Sequence, residues 1–126
     1  MDRLFVYGTL QYPELLEHLL GRIPPHVPAR LEGFARYTVR GADYPGILEE
    51  NGAVTDGQIL YGIQSREWER LDQYEDDLYE RRIIRLTLED ETSITAYAYI
   101  IPDRNRDALS KQPWQKRQSA LPKTNG

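Results

Sequence analysis

The sequence predicts an α+β domain with a curved, mostly mixed sheet able to close into a small barrel. Three observations lead there. Runs of β-branched and aromatic residues recur at strand length along the chain. Only two stretches carry helical periodicity, and both are short and set between strand-like runs. No Gly/Ser linker or internal repeat divides the 126 residues, which suit one domain with one substantial core.

The elements follow in chain order. "RLFVYG" reads as a short buried strand closed by Gly8. "PELLEHLL" is a helix, with Pro13 suited to its first position and Gly21 just past its end. "IPPHVPARLEGFARYTVRG" begins as a proline-rich connector and becomes a strand over about 31–40. "ADYPGILEENG" reads as a loop, a short apolar piece and a turn at Asn51-Gly52. "VTDGQILYGI" is the next strand, in which Gly57 marks a bulge or a close approach.

Ser65 is a good N-cap for the helix "REWERLDQYE". "RRIIRLTLE" places Ile84, Leu86 and Leu88 on one face, and "SITAYAYII" follows after a short "DET" turn. The two form a hairpin that Pro102 closes. From Asp103 the chain turns polar, with Trp114 its one strong apolar anchor. A short helix and then a frayed end are expected there. Residues 1–102 therefore read as the domain, and 103–126 as a polar, partly ordered extension.

Composition narrows the partners. The formal net charge is -4, and Arg81, Arg82 and Arg85 are the notable basic cluster, beside an acidic run. Nucleic-acid binding needs a positive stripe, which this chain does not offer. No helix is basic and amphipathic enough for a membrane surface, and the apolar runs are too short to span a bilayer. "MDRLFVYG" enters a strand directly, without the basic and apolar regions of a signal peptide. The absence of cysteine removes disulfides, thiolate nucleophiles and Cys-ligated metals. A cytoplasmic protein, monomeric or weakly dimeric, with a small-molecule partner is the expectation.

The chemistry is concentrated in few places. "LDQYEDDLY" crowds Asp72, Glu75, Asp76 and Asp77 into nine residues. Asp76 and Asp77 read as the solvated end of a helix, because acids at a C-terminus oppose the macrodipole. Glu75 differs. It shares a face with Trp68 and Leu71, at i, i+3 and i+7, and that face must meet the core. A carboxylate there is desolvated and near the negative helix end, so its pKa should rise. That is how a general acid or base is tuned toward neutral pH, although structural carboxylates are perturbed in the same way.

"VYGTL" is the second candidate. A strand stopping at Gly8 and turning through Thr9 and Leu10 can present free N–H groups to an anion, or can be an ordinary strand-ending turn. Tyr44 and Pro45 of "DYPG" can wall a pocket or lie in a plain loop. Tyr97 and Tyr99 make one strand face aromatic, as core or as ligand wall. His18 and His26 lack metal-ligand spacing and read as surface residues. No HExxH, GxSxG, Walker or Rossmann pattern occurs, so neither a metal nor a cofactor is expected.

Together "FVYGTL", "YPGI", "VTDGQILYGI", "LDQYEDDLYERR" and "AYAYI" resemble, in order and spacing, the gamma-glutamylcyclotransferase-like family. That family includes the gamma-glutamylamine cyclotransferases and the plant avirulence-induced-gene-like proteins. The resemblance runs from about Arg3 to Pro102. It implies a small mixed β-barrel with flanking helices. It also implies a reaction in which a gamma-glutamyl amine or amino acid cyclises to 5-oxoproline and releases the amine, without a cofactor. The family's catalytic glutamate falls on Glu75, and its carboxylate-binding loop falls on Tyr7, Gly8, Thr9 and Leu10. Tyr79 and Arg81, which alternate at a strand start, are expected to brace the helix end that carries Glu75, with Arg81 pairing with Asp72 or Asp77.

Three other readings stand beside this one. A non-catalytic relative would keep the pocket and bind a gamma-glutamyl compound or 5-oxoproline. A hydrolase would use Asp72 with Glu75, although carboxylates at i, i+3 sit only about 5–6 Å apart at Cβ with similar access. A structural or protein-binding module would have no pocket near Glu75.

Overall fold

Leu4, Phe5 and Val6 are apolar at three successive positions, so a strand made of them must be buried on both faces. That strand, β1 (Leu4–Val6), is the centre of the fold, each residue at most 2% exposed. In the computed structural model, which describes residues 1–116, the other described elements are arranged about it. A 3-10 turn at Thr9–Gln11 leads into helix α1 (Pro13–Leu20). Two long strands, β2 (His26–Val39) and β3 (Pro45–Leu60), precede helix α2 (Ser65–Glu75). A second 3-10 turn, Asp76–Leu78, feeds the hairpin of β4 (Glu80–Leu88) and β5 (Ser93–Ile100). The 3-10 segment Asp103–Ala108 and β6 (Leu109–Pro113) follow.

The strands are hydrogen-bonded in the order β3-β1-β5-β4-β2, and β2 pairs again with β3, closing a five-stranded barrel. β1 runs parallel to β5 and antiparallel to β3, so the barrel is mixed. Period-two alternation then sorts the core into two. Phe5, Leu31, Ile47, Ile59 and Leu86 fill the barrel, with Ala96 and Ala98 where the narrow lumen leaves room only for a methyl group. Leu4 and Val6 point outward and meet Leu16 and Leu20 of α1 and Leu71 of α2. Gly57 is where β3 crosses β1: a Cβ there would run into the Val6 carbonyl oxygen and the Phe5 ring.

Four elements differ from the sequence reading. β2 begins at His26, five residues earlier than about 31, and runs through Pro28 opposite Gln58. Pro28 is tolerated because pairing with β4 covers Ala29 and Arg30 and does not reach it. Asn51-Gly52 does not reverse the chain. β3 runs straight through it, and the register with β2 slips between Glu32↔Val54 and Phe34↔Glu49. Gly33 and Gly52, both at φ 84, supply the positive dihedrals this bulge requires and bend the hairpin.

Ser65 lies inside α2, and Gln64 is the N-cap. Its backbone N–H donates to Glu67 Oε1 at 2.9 Å, and the same carboxylate accepts from Arg22 Nη2 at 2.8 Å. Finally, the segment after Asp103 contributes a strand. β6 pairs with the outer arm of β2 at Tyr37↔Pro113 and Val39↔Leu109, and Trp114 is buried beneath it. The frayed end expected further on lies outside the described residues. Among the described residues no helix is long and apolar enough to cross a membrane.

Candidate active site

Helix α2 delivers the acidic run. Leu71 is fully buried and Trp68 half-buried, and the same face carries Glu75 to the helix end. The helix stops there because Asp76 adopts φ 60, ψ -162, a region that side chains avoid and that costs about 1–3 kcal/mol. The chain then turns away through Asp76–Leu78, leaving the Glu75 side chain directed into a cavity of about 300 Å³.

Three walls surround that cavity. Tyr7, Gly8, Thr9 and Leu10 form one, as β1 ends and enters the 3-10 turn. Bonds within that turn use the N–H groups of Gln11 and Tyr12, to Gly8 O and Thr9 O. The earlier N–H groups have no acceptor within it, as at any helical start. Tyr44 and Pro45, from the loop entering β3, form the second wall. It abuts the first so closely that a Cβ on Gly8 would sit 2.5 Å from Pro45 Cγ. Tyr74, Glu75 and Asp76, with Leu78 and Tyr79, form the third.

The cavity is rich in tyrosine. The Tyr7 hydroxyl donates to Tyr99 O at 2.6 Å, and the Tyr79 hydroxyl donates to Pro45 O at 2.6 Å. Burial raises the pKa of both hydroxyls, so they stay protonated and keep those bonds. Glu75 has no ion-pair partner among the described residues. Desolvation pushes its carboxyl from the ordinary 4.5 up to about 8. The direction is the one expected from helical phase.

Of the other acids, Asp76 lines the cavity at its exposed rim, and Asp77 is exposed and outside it. Asp72 accepts from the Tyr99 hydroxyl at 2.6 Å and pairs with Arg81 at 3.1 Å. It is not among the lining residues, so it does not face Glu75 across a bound molecule. Arg81 lies outside the cavity, its guanidinium 4.5 Å from the ring centroids of both Trp68 and Tyr97. It clamps α2 to β5. Tyr79 both braces the Pro45 wall and lines the cavity. His18 and His26 are exposed. Among the described residues no group of three or more His, Cys, Asp or Glu is placed to hold a metal ion.

Sequence reasoning missed Tyr74, which lies beside Glu75, whereas Tyr99, left open there as core or ligand wall, lines the cavity. It also missed Arg36. This side chain leaves β2 to donate to Tyr7 O at 2.7 Å and to Asp56 Oδ1 at 2.9 Å. Nothing in a lone arginine within "GFARYTV" signals that role.

Comparison with known proteins adds context to this geometry. The family profile "Gamma-glutamyl cyclotransferase, AIG2-like" matches residues 4–116. AIG2-like protein C of Arabidopsis thaliana is 44% identical over 87 residues, which are 69% of this chain and 51% of that protein. The chain spans about half the length of that relative, and 60% of AIG2-like protein D of the same plant. A solution structure of another Arabidopsis thaliana protein superimposes with a TM-score of 0.77 at 31% identity, covering 87% of this chain and 75% of that one. A solved gamma-glutamyl cyclotransferase, 16% identical, has a TM-score of 0.71 over 80% of this chain and 66% of its own, a likeness of fold.

Proposed function

The chain belongs to the gamma-glutamyl cyclotransferase, AIG2-like family, and from that we propose that its cavity cyclises a gamma-glutamyl amine or amino acid to 5-oxoproline. The observation that carries this reading is Glu75, a carboxyl desolvated to a pKa of about 8 in a cavity whose opposite wall is the loop of Tyr7, Gly8, Thr9 and Leu10.

The substrate's α-carboxylate takes the N–H groups of that loop, and its α-ammonium points at Glu75. An α-amine titrates at about 8, so donor and acceptor are closely matched and the transfer is nearly thermoneutral. Glu75 removes the proton. The free amine nitrogen attacks the γ-carbonyl carbon, the new N–C bond closes the five-membered ring, and the bond to the leaving nitrogen breaks. The Glu75 carboxyl returns its proton to the departing nitrogen, and the ring nitrogen, left with one proton too many, releases it to solvent to give the lactam N–H. Nucleophile and electrophile belong to one molecule, so the main task is to fold it. Such orientation contributes on the order of 7–11 kcal/mol in the best intramolecular cases. No step requires a metal or a cofactor. Tyr44 and Pro45 enclose the substrate, while Tyr79 and Arg81 hold the walls and helix in place.

The test is a panel of gamma-glutamyl amines, gamma-glutamyl amino acids and glutathione, read out as 5-oxoproline, with Glu75→Gln alongside. At least one compound should turn over. The variant should lose about 10²- to 10⁴-fold in rate, toward the upper end because one carboxyl serves both transfers. It should keep its affinity, since the carboxylate site is backbone. Turnover by Glu75→Gln near the wild-type rate would refute the mechanism. Binding of 5-oxoproline with no turnover across the panel would favour a non-catalytic small-molecule-binding relative.

A further inference from the structure

Trp114 is the apolar anchor of the C-terminal segment, and the chemistry above makes no use of it. Its surroundings are specific. The ring is 7% exposed, and Nε1 donates to the Asp43 carbonyl at 2.7 Å. Asp43 immediately precedes Tyr44 and Pro45, the second wall of the cavity. Tyr44 is itself tied from the other side, its carbonyl accepting from Val39 N at 2.9 Å.

The opposite face of this arrangement is Arg36, whose guanidinium carbon lies 5.6 Å from the Trp114 ring centroid. Arg36 reaches past Trp114 to the Tyr7 carbonyl at 2.7 Å, one residue before Gly8. Only 18% of its side chain is exposed, and its Nε is buried with no hydrogen-bond partner among the described residues. A buried guanidinium with an unpaired N–H is costly. The cation–π contact with Trp114 and the charge-assisted bonds to Tyr7 and Asp56 offset that cost.

We infer that Trp114 and Arg36 are positioning residues that together set the gap between the two walls of the cavity from outside it. Trp114 holds the Tyr44–Pro45 wall through Asp43. Through its ring it also supports Arg36, which holds the Tyr7–Gly8 wall. The walls touch at Gly8 and Pro45, so a shift of either one opens the cavity. The C-terminal segment is thus part of the site's frame.

This rests on reading the cavity as the substrate site, and the test separates the two. Trp114→Phe keeps a ring beneath Arg36 and removes the donor to Asp43. Arg36→Lys keeps a charge and removes the forked contact. Both should weaken 5-oxoproline binding, measured by calorimetry, by about two- to tenfold, the worth of one hydrogen bond. Both should also lower the midpoint of the Glu75 carboxyl titration, followed by carbon-13 NMR, because an opened wall admits water. The titratable groups that line the cavity with Glu75 are Tyr7, Tyr44, Tyr74, Tyr79, Tyr99 and Asp76, with Asp43, Asp72 and Arg36 behind them. Trp114→Phe changes none of these groups chemically. A merely structural role would lower the unfolding temperature and leave affinity and titration alone, and that result in either variant would overturn the inference. If the wild type neither binds 5-oxoproline nor turns over any gamma-glutamyl compound, the functional reading fails. The Glu75 titration in the two variants would still decide the positioning role.

Discussion

Glu75 shows how one side chain ties chemistry to stability. Its folded pKa, about 8, lies above the ordinary 4.5, so the native state holds this proton more tightly than the unfolded chain does. The associated stabilisation is fully present below about 4.5 and is lost as pH rises toward about 8. Glu75→Gln cannot titrate. Its stability relative to wild type should therefore climb between pH 5 and pH 8 and level off above, as read from urea unfolding at each pH. A flat difference would mean that the carboxyl is not desolvated in solution. In the proposed mechanism the same proton governs rate. The wild-type kcat/KM should rise with pH through the region of 8, since only the carboxylate can accept the substrate's proton.

At the scale of elements, the boundary of α2 matters more than its body. The helix ends at Glu75 because Asp76 holds φ 60, ψ -162, where glycine is at ease and other residues are strained. Asp76→Gly should release about 1–3 kcal/mol of strain against an entropic loss of about 0.5–1 kcal/mol, for a small net gain in unfolding temperature. A loss would show that the Asp76 side chain contributes more than its backbone costs. The body of the helix is anchored conventionally. Leu71 is fully buried between α1, β1 and β5, and Leu71→Ala should cost about 2–5 kcal/mol in chemical denaturation. A cost below 1 kcal/mol would place the anchoring of Glu75 in the Arg81 clamp instead.

For the whole molecule, closure of the barrel depends on β1 lying between β3 and β5, and on one residue that permits it. Gly57 faces the Val6 carbonyl oxygen where β3 crosses β1, and backbone cannot move aside as a flexible side chain can. Gly57→Ala should destabilise by about 1–3 kcal/mol or more. Because Val6 leads directly into Tyr7 and Gly8, the change should weaken 5-oxoproline binding as well. Unaltered stability and binding would mean that the seam between β1 and β3 has slack.

How much of this was legible depends on the range of the interactions concerned. The α+β class, the helix at Pro13–Leu20, the hairpin of β4 and β5 and the inward phase of Glu75 all follow from spacing within a few residues. Gly57 signalled a bulge or a close approach, and it is the barrel that makes it a close approach, to the Val6 carbonyl. The quoted motifs carried the family. Tertiary structure alone decided the rest. Asn51-Gly52 has the composition of a reversing turn, and whether it reverses the chain or bulges depends on the register with Gly33, eighteen positions earlier. β6 is polar because only its edge position beside β2 makes it a strand, and an edge strand needs no apolar alternation. The grip of Trp114 on Asp43 and of Arg36 on Tyr7 joins residues 71 and 29 positions apart. Local patterns record which face of an element is buried, because the backbone repeat enforces it. Which two faces then meet, and which side chain closes the cavity between them, is set by the packed barrel.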